Sequence, residues 1–245
     1  MVWYNTLNMY AFCQGAAEIS EFAEIFRQLD WSVLTNMLLS VIPVLLCLTV
    51  HEVCHGLVAL RLGDTTAKEQ GRLSFNPLKH VDIMGALMMV FFRFGWAKPV
   101  PVNMWRFKNP KVGMAITALA GPASNVLLTI VAFIFYGFFY DLLARSETGR
   151  VVLGLIATLA SLSLSLGIFN LIPIPPLDGS KILFALIPNE TYYKLMRYER
   201  YGMIALLILV ATGLLSMPLG KAVTWVYNLL EPAVYWGFDL YHLIF

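Results

Sequence analysis

The stretch that decides the fold reads Leu48-Thr49-Val50-His51-Glu52-Val53-Cys54-His55-Gly56-Leu57-Val58-Ala59-Leu60. It places the pattern His-Glu-x-x-His inside a long apolar run that extends from Ser32 to Leu60. On a helix, His51 and His55 lie one turn apart on the same face, so both imidazoles can bind one Zn²⁺ with Glu52 beside them as a general base. Ionisable side chains are costly in hydrocarbon, and a membrane helix that carries them usually has a function for them.

The composition indicates a membrane protein. Of the 245 residues, 59% are hydrophobic and 13% are charged, whereas charged residues make up about 25% of an average soluble domain. The mean hydropathy is +0.71, and several apolar runs approach or exceed the ~20 residues needed to cross a bilayer. The net charge of +2 does not suggest a nucleic-acid partner, and the three cysteines form no CxxC pattern and suggest no disulfide framework.

The hydrophobic pattern divides the chain into three parts. Residues 1–30 predict an amphipathic or interfacial segment, residues 31–190 an intramembrane core, and residues 191–245 C-terminal transmembrane or interfacial helices. We expect strong spans at Ser32–Arg61, Gly113–Tyr140 and Val151–Leu171, and a further span at Gly202–Met217. The predicted fold class is therefore an all-α polytopic membrane protein with about four to six transmembrane helices.

The sequence of residues 63–103, between the first two core helices, does not predict a helix that crosses the membrane. Thr65–Ala67 and Arg72–Phe75, separated by Gly71, predict a short β-hairpin. Val81–Phe92 is apolar but too short for a comfortable crossing, which favours a re-entrant segment.

Lys and Arg are unevenly distributed. Most of the 17 lie in residues 61–111 and 173–200. The positive-inside rule places both regions in the cytoplasm, provided that residues 81–92 do not cross the membrane. This predicts a multi-pass protein of the plasma membrane with the His pair in the cytoplasmic half of the bilayer.

A catalytic zinc needs a third protein ligand and an open position for water. Asp178 is the best-placed candidate because three prolines break the helix before it, at the end of a span, and Gly179 permits a tight backbone. The alternative interpretation of Asp178-Gly179 is a simple turn. The other candidates lie in loops, near an interface or in the tail: His80, Asp141, Glu147 and His242.

Three motifs, in this order along the chain, resemble the site-2 protease family of intramembrane zinc metalloproteases: His51-Glu52-x-x-His55, Gly121-Pro122-x-x-Asn125 and Asn170-x-x-Pro-x-x-x-Leu177-Asp178-Gly179. Residues 71–80 and 94–103 resemble the compact prokaryotic branch, which lacks a PDZ insertion. The resemblance covers about residues 45–190, most of the chain.

The resemblance implies a role for each matching residue. His51, His55 and Asp178 would bind one Zn²⁺ per chain, and Glu52 would take a proton from the attacking water and pass it to the leaving amine. Asn125 and Asn170 would lie near the substrate strand and hydrogen-bond its backbone or the oxyanion, with helix–helix hydrogen bonding as the alternative.

The partners that the resemblance implies are the lipid bilayer and a membrane-protein substrate that contains a transmembrane helix. Its implied function is regulated intramembrane proteolysis.

Two other functions remain open for the same residues. The His-Glu-Asp cluster of a transporter or channel would conduct zinc or protons, and a membrane scaffold would bind zinc without turnover. A transporter predicts a chain of polar sites or inverted repeats across the membrane, and the sequence shows neither.

Overall fold

The computed structural model describes residues 31–82, 84–85, 98–188, 190–191 and 199–245. The chain divides into a unit that ends at Ser40 and a unit from Val41 to Phe245, and the contacts discussed below all lie in the second unit. The segment predicted for residues 1–30 falls outside the described residues.

The described residues are largely helical. The helices are α1 (Trp31–Arg61), α2 (Thr66–Glu69), α3 (Pro110–Leu143), α4 (Glu147–Asn170), α5 (Asp178–Phe184), α6 (Glu199–Ala211), α7 (Ser216–Leu230) and α8 (Pro232–Ile244). In the described part of the connection between α2 and α3 lie two 3₁₀ turns, Pro77–Lys79 and Met104–Arg106.

Among the described residues, three helices are long and apolar enough to cross a membrane: α1 over Leu39–Arg61, α3 and α4. The segments Tyr201–Ala211 and Ser216–Ile244 pass the same test together, but they are bent by 85° and count as one further span at most. The all-α polytopic fold class is therefore confirmed, with three to four candidate spans. The span predicted at Gly202–Met217 stops earlier, because the chain turns after Ala211 and Gly213 has a φ of +71°.

The β-hairpin predicted for residues 65–75 is wrong. Its first half is the short helix α2, because the Asp64 carboxylate accepts hydrogen bonds from the Thr66 N–H at 3.0 Å and the Thr66 hydroxyl at 2.5 Å and so starts a helical turn. The described residues contain no β-strand. The re-entrant segment predicted for residues 81–92 lies largely outside the described residues and stays a prediction.

A helical hairpin of α3 and α4 forms the centre of the unit. Its helices begin at side-chain caps: Asn109 accepts a hydrogen bond from the Val112 N–H, and Ser146 accepts one from the Gly149 N–H at 3.0 Å. The buried core between these helices and α8 consists of Phe133 and three small side chains, those of Ala132, Ala160 and Ala233. Without a hydrophobic driving force in lipid, such small residues allow the backbones to approach closely.

Two glycines bring α8 against α3. A Cβ at position 137 would lie 3.0 Å from the Val234 carbonyl carbon and even closer to its oxygen, and a Cβ at Gly237 would meet the Ile134 carbonyl in the same way. Since backbone atoms cannot move aside as side chains do, each glycine is required for this approach.

We expect Gly137→Ala to lower the free energy of unfolding by about 1–3 kcal/mol, because the added methyl group overpacks a backbone contact. Gly154→Ala is the matched control, since a Cβ at that position meets no atom within 4 Å. Thermal unfolding in detergent measures both variants, and equal midpoints would contradict the packing described here.

Candidate metal centre

The two histidines of α1 lie side by side, as their spacing predicts. Their ring centroids are 4.5 Å apart, and the Nε2 atoms of His51 and His55 are separated by 3.0 Å. Both residues are buried, with 4% and 8% of their surface exposed. Because side chains four residues apart share one helix face, α1 alone presents two nitrogen ligands to one point.

Asp178 brings a carboxylate to the same point from 127 residues further along the chain. Its Oδ2 lies 3.2 Å from Nε2 of His51 and 3.1 Å from Nε2 of His55. The chain folds back tightly after α4, and a Cβ at Gly179 would lie 2.6 Å from the Ile172 carbonyl oxygen and closer still to that of Leu171. Gly179 therefore allows α5 to begin at the position where Asp178 faces the two histidines.

The geometry of these three side chains fits a zinc ion. Their ligand atoms form a triangle with sides of 3.0–3.2 Å, and a tetrahedral ion with bonds of about 2.0–2.1 Å separates its ligand atoms by about 3.3 Å. Two imidazole nitrogens and one carboxylate oxygen are a typical ligand set of catalytic zinc, in which the fourth position stays open. Within the described part of the chain, this is the single group of His, Cys, Asp or Glu residues that can hold a metal ion.

A backbone carbonyl fixes the ring orientation of His55. Its Nδ1 lies 2.7 Å from the Thr117 carbonyl oxygen, which accepts a hydrogen bond from the Nδ1–H. The proton therefore resides on Nδ1, and the lone pair of Nε2 is available to a metal. Such a hydrogen bond on the far side of the ring is a regular feature of metal-binding histidines.

Asn125 contacts the corresponding nitrogen of His51. Its side-chain amide lies 3.1 Å from Nδ1 of His51, and the residue is completely buried. The Oδ1 end of this amide has no hydrogen-bond partner among the described residues. If Nε2 of His51 binds a metal, the ring proton lies on Nδ1, and this N–H needs an acceptor. Rotating the Asn125 amide by a half-turn exchanges its oxygen and nitrogen, so that Oδ1 accepts this hydrogen bond.

Small residues of α3 leave the space that the imidazoles occupy. A Cβ at Gly121 would lie 2.6 Å from Cε1 of His51 and would overlap the ring of His55. The Gly121-Pro122-x-x-Asn125 motif thus contributes to the group of His51, His55 and Asp178 in two ways. Gly121 leaves room for both imidazole rings, and Asn125 contacts the ring of His51.

The carboxylate of Glu52 is held by the segment around Val100, which the sequence motifs do not place at the site. Its Oε2 accepts a hydrogen bond from the Val100 N–H at 2.7 Å. The other oxygen, Oε1, has no hydrogen-bond partner within the described ranges. The sequence does contain a signal for this contact: Pro99 and Pro101 have no N–H, so Val100 carries the single backbone donor of the tripeptide.

The side-chain hydrogen bond of Asn170 goes to its own helix and not to His51, His55 or Asp178. Asn170 is the last residue of α4, half-buried, and its amide nitrogen donates to the Leu166 carbonyl at 2.9 Å. The other candidate ligands are engaged elsewhere: His80 contacts the Ser74 carbonyl at 2.8 Å, and His242 pairs with Asp141 at 3.5 Å.

The family model and the relatives that match this chain all belong to metalloproteases. The family model described as "Peptidase family M50" matches residues 144–216, which include Asp178. YwhC of Bacillus subtilis is 39% identical over 189 residues, which cover 76% of this chain and 83% of that protein. Rip2 of Mycolicibacterium smegmatis is 29% identical over 202 residues, covering 80% of this chain and 71% of that protein.

These relatives are named as zinc metalloproteases, which agrees with the cofactor predicted from the His-His-Asp group. A shorter match, 37% identity over 112 residues, is found with zinc metalloprotease MJ0392 of Methanocaldococcus jannaschii and covers 45% of this chain and 31% of that protein. No solved structure shows significant similarity to the chain.

Gly121→Ala is expected to reduce bound zinc to well below one ion per chain, because the methyl group displaces both imidazoles. Elemental analysis of the purified protein measures the zinc. Gly154→Ala, another glycine within a spanning helix, serves as the control and keeps the wild-type content. A Gly121→Ala protein with full zinc content would contradict the close packing of α3 against the rings.

Asn125→Ala is expected to weaken zinc binding by about 10–100-fold, since an orienting hydrogen bond to a ligand typically contributes this much. Competition with a chelator measures the affinity. Ser163→Ala is the matched control: its hydroxyl donates to the Asn125 carbonyl in the same helix interface but does not touch the imidazole. Equal affinities in the two variants would rule out the orienting role.

Proposed function

Because this chain belongs to peptidase family M50, the site-2 protease family, we propose that it hydrolyses a peptide bond in or near a transmembrane helix of a membrane-protein substrate. The observation that carries the proposal is the buried group of His51, His55 and Asp178, in which a candidate membrane span supplies both histidines and Glu52 follows the first of them. The chain is a membrane metalloprotease by family, and its substrate class is our inference.

The proposed reaction divides the work between the metal and Glu52. His51, His55 and Asp178 would hold zinc, which supplies Lewis acidity to polarise a carbonyl and to acidify water. Glu52 would accept a proton from the attacking water and donate it to the leaving amine. Since Oε2 is engaged by the Val100 N–H, we assign the proton transfer to Oε1.

The structure gives different support to the roles of Asn125 and Asn170. We propose that Asn125 orients His51, because its buried amide contacts that ring. The substrate-binding or oxyanion role predicted for Asn125 and Asn170 stays a prediction. For Asn170, its place at the end of α4, directly before the loop that leads to Asp178, is compatible with that role.

The position of the site along the helices supports access from the cytoplasm. His55 lies six residues before the end of α1, a rise of about 9 Å, and Gly121 lies eleven residues after the start of α3, about 16 Å. These helix ends are next to the Lys- and Arg-rich regions around residues 61 and 111. By the positive-inside rule, we propose that this end is cytoplasmic, in a plasma-membrane protein that carries out regulated intramembrane proteolysis.

A substrate helix protects its own peptide bonds. Cleavage therefore requires local unwinding, and the freed backbone groups must find partners within the protein because lipid offers none. A site in one half of the bilayer close to a helix end needs to unwind only the adjacent part of the substrate.

The transporter alternative is less well supported. A conducting path needs successive polar sites across the membrane, and the described residues hold one metal-binding group, near one end of the spans.

Glu52→Gln tests the function directly. Wild type and variant are expected to retain about one zinc each, because the three ligands are unchanged, while cleavage falls by about 10²–10⁴-fold with the loss of the general base. The substrate is a synthetic transmembrane peptide with a fluorophore and a quencher on either side of a central helix-breaking sequence, reconstituted in proteoliposomes.

Glu69→Gln is the control for this experiment, since Glu69 is an exposed glutamate paired with Arg106 outside the metal group. Equal cleavage by wild type and Glu52→Gln would refute the catalytic assignment. Zinc flux across the proteoliposome membrane without peptide cleavage would favour the transporter.

A further inference from the structure

The segment Lys98–Asn103 approaches Glu52 with a single backbone donor. Prolines at positions 99 and 101 restrict the backbone and lack an N–H, so only Val100 can donate between them. Val100 is 7% exposed, and its side chain packs close to Gly56 on α1, where an added Cβ would lie 3.0 Å from its Cγ1. The position of this one N–H therefore depends on what holds the ends of the segment.

Asp64 holds the C-terminal end of the segment. Its Oδ2 accepts a hydrogen bond from the Asn103 N–H at 2.6 Å, while Oδ1 accepts from the N–H and hydroxyl of Thr66. Only 1% of Asp64 is exposed, although it is a carboxylate three residues beyond the end of α1. Buried carboxylates are uncommon unless each oxygen is satisfied, and here both accept hydrogen bonds.

Arg72 holds the N-terminal end. Its Nη2 donates to the carbonyl oxygens of Lys98 at 2.8 Å and Pro99 at 3.2 Å. The Lys98 N–H in turn donates to the His80 carbonyl at 2.9 Å. Lys98 and Pro99, the two residues before Val100, are thereby fixed from outside the segment.

We propose that Asp64 and Arg72 are positioning residues that hold the Lys98–Asn103 segment so that the Val100 N–H fixes the carboxylate of Glu52. This inference rests on the proposed catalytic role of Glu52. Neither residue touches the three ligands, and both act through the backbone of the segment. Asp64 lies twelve residues after Glu52, in the turn that follows α1. The helix that carries Glu52 therefore leads directly to one of the two positioning residues.

The chemistry of the two supports explains why these residue types are needed. An asparagine at position 64 has one acceptor oxygen, so its NH₂ group would face either the Thr66 N–H or the Asn103 N–H, both of which are donors. One of the two hydrogen bonds would therefore be lost in Asp64→Asn. A glutamine at position 72 is too short to reach both carbonyls that the guanidinium contacts.

Amide hydrogen exchange on the zinc-free protein tests the structural part of the inference. We expect the Val100 amide to exchange at least about ten-fold faster in Asp64→Asn and in Arg72→Gln, because local opening of the segment requires less free energy. Glu69→Gln is the matched control: it removes an exposed partner of Arg106 beside the same segment and leaves the exchange of Val100 unchanged.

Kinetics on the zinc-loaded protein test the catalytic part. We expect kcat for the transmembrane peptide to fall by about ten-fold in each variant, with KM and zinc content near wild type, because a misplaced base affects the chemical step and not the binding. In a Val100→Pro background, which lacks the N–H, Asp64→Asn should have no further effect on kcat.

The outcomes separate this inference from the proposed function. Full cleavage by Glu52→Gln would overturn the proposed function itself. Loss of cleavage in Glu52→Gln together with wild-type kcat in Asp64→Asn and Arg72→Gln would overturn the positioning role alone. Additive losses in the Val100→Pro background would also overturn it. If Asp64→Asn does not fold, Arg72→Gln decides the question from the other end of the segment.

Discussion

The constraint on which the structure depends is that polar groups at membrane depth must find their partners within the protein. Two imidazoles, a carboxylate and an amide meet between α1, α3 and the start of α5, and lipid offers none of them a hydrogen bond. The Thr117 carbonyl and the Asn125 amide contact the outer nitrogens of the two rings, while the inner atoms converge on one point. A cation bound at that point would offset the cost of bringing these groups together, and it would couple metal binding to folding.

This convergence is possible because the surrounding helices carry glycine at the closest points. Gly121 leaves the space that the two rings fill, and Gly179 lets the chain pass the carbonyls of Leu171 and Ile172. Further from the site, Gly137 and Gly237 bring α8 onto α3 in the same manner. In lipid, packing and hydrogen bonds supply the association energy, so a methyl group at any of these positions disturbs the close contact made there.

The connection between α2 and α3 makes contacts that reach Glu52, beyond the group of His51, His55 and Asp178. Its Pro-Val-Pro sequence offers one N–H to Glu52, and the buried carboxylate of Asp64 and the guanidinium of Arg72 hold its two ends. A flexible glutamate side chain thus receives a fixed partner from a segment without regular secondary structure. In the function that we propose, such a support lowers the cost of orienting Glu52 before the reaction.

The sequence by itself determined the helical membrane fold, the His pair and the candidate third ligand, because these depend on local properties: hydrophobic length, a four-residue spacing on one face and a proline-rich break before Asp178. It also led to the wrong hairpin at residues 65–75, since the pattern could not show that Asp64 starts a helical turn there. Only the tertiary structure decided that Asp178 meets His51 and His55 across 127 residues, that Asn125 contacts the ring of His51, and that Val100 holds Glu52. These contacts depend on how helices and connections approach one another in space, and no local spacing encodes the distance between side chains that are far apart in the chain.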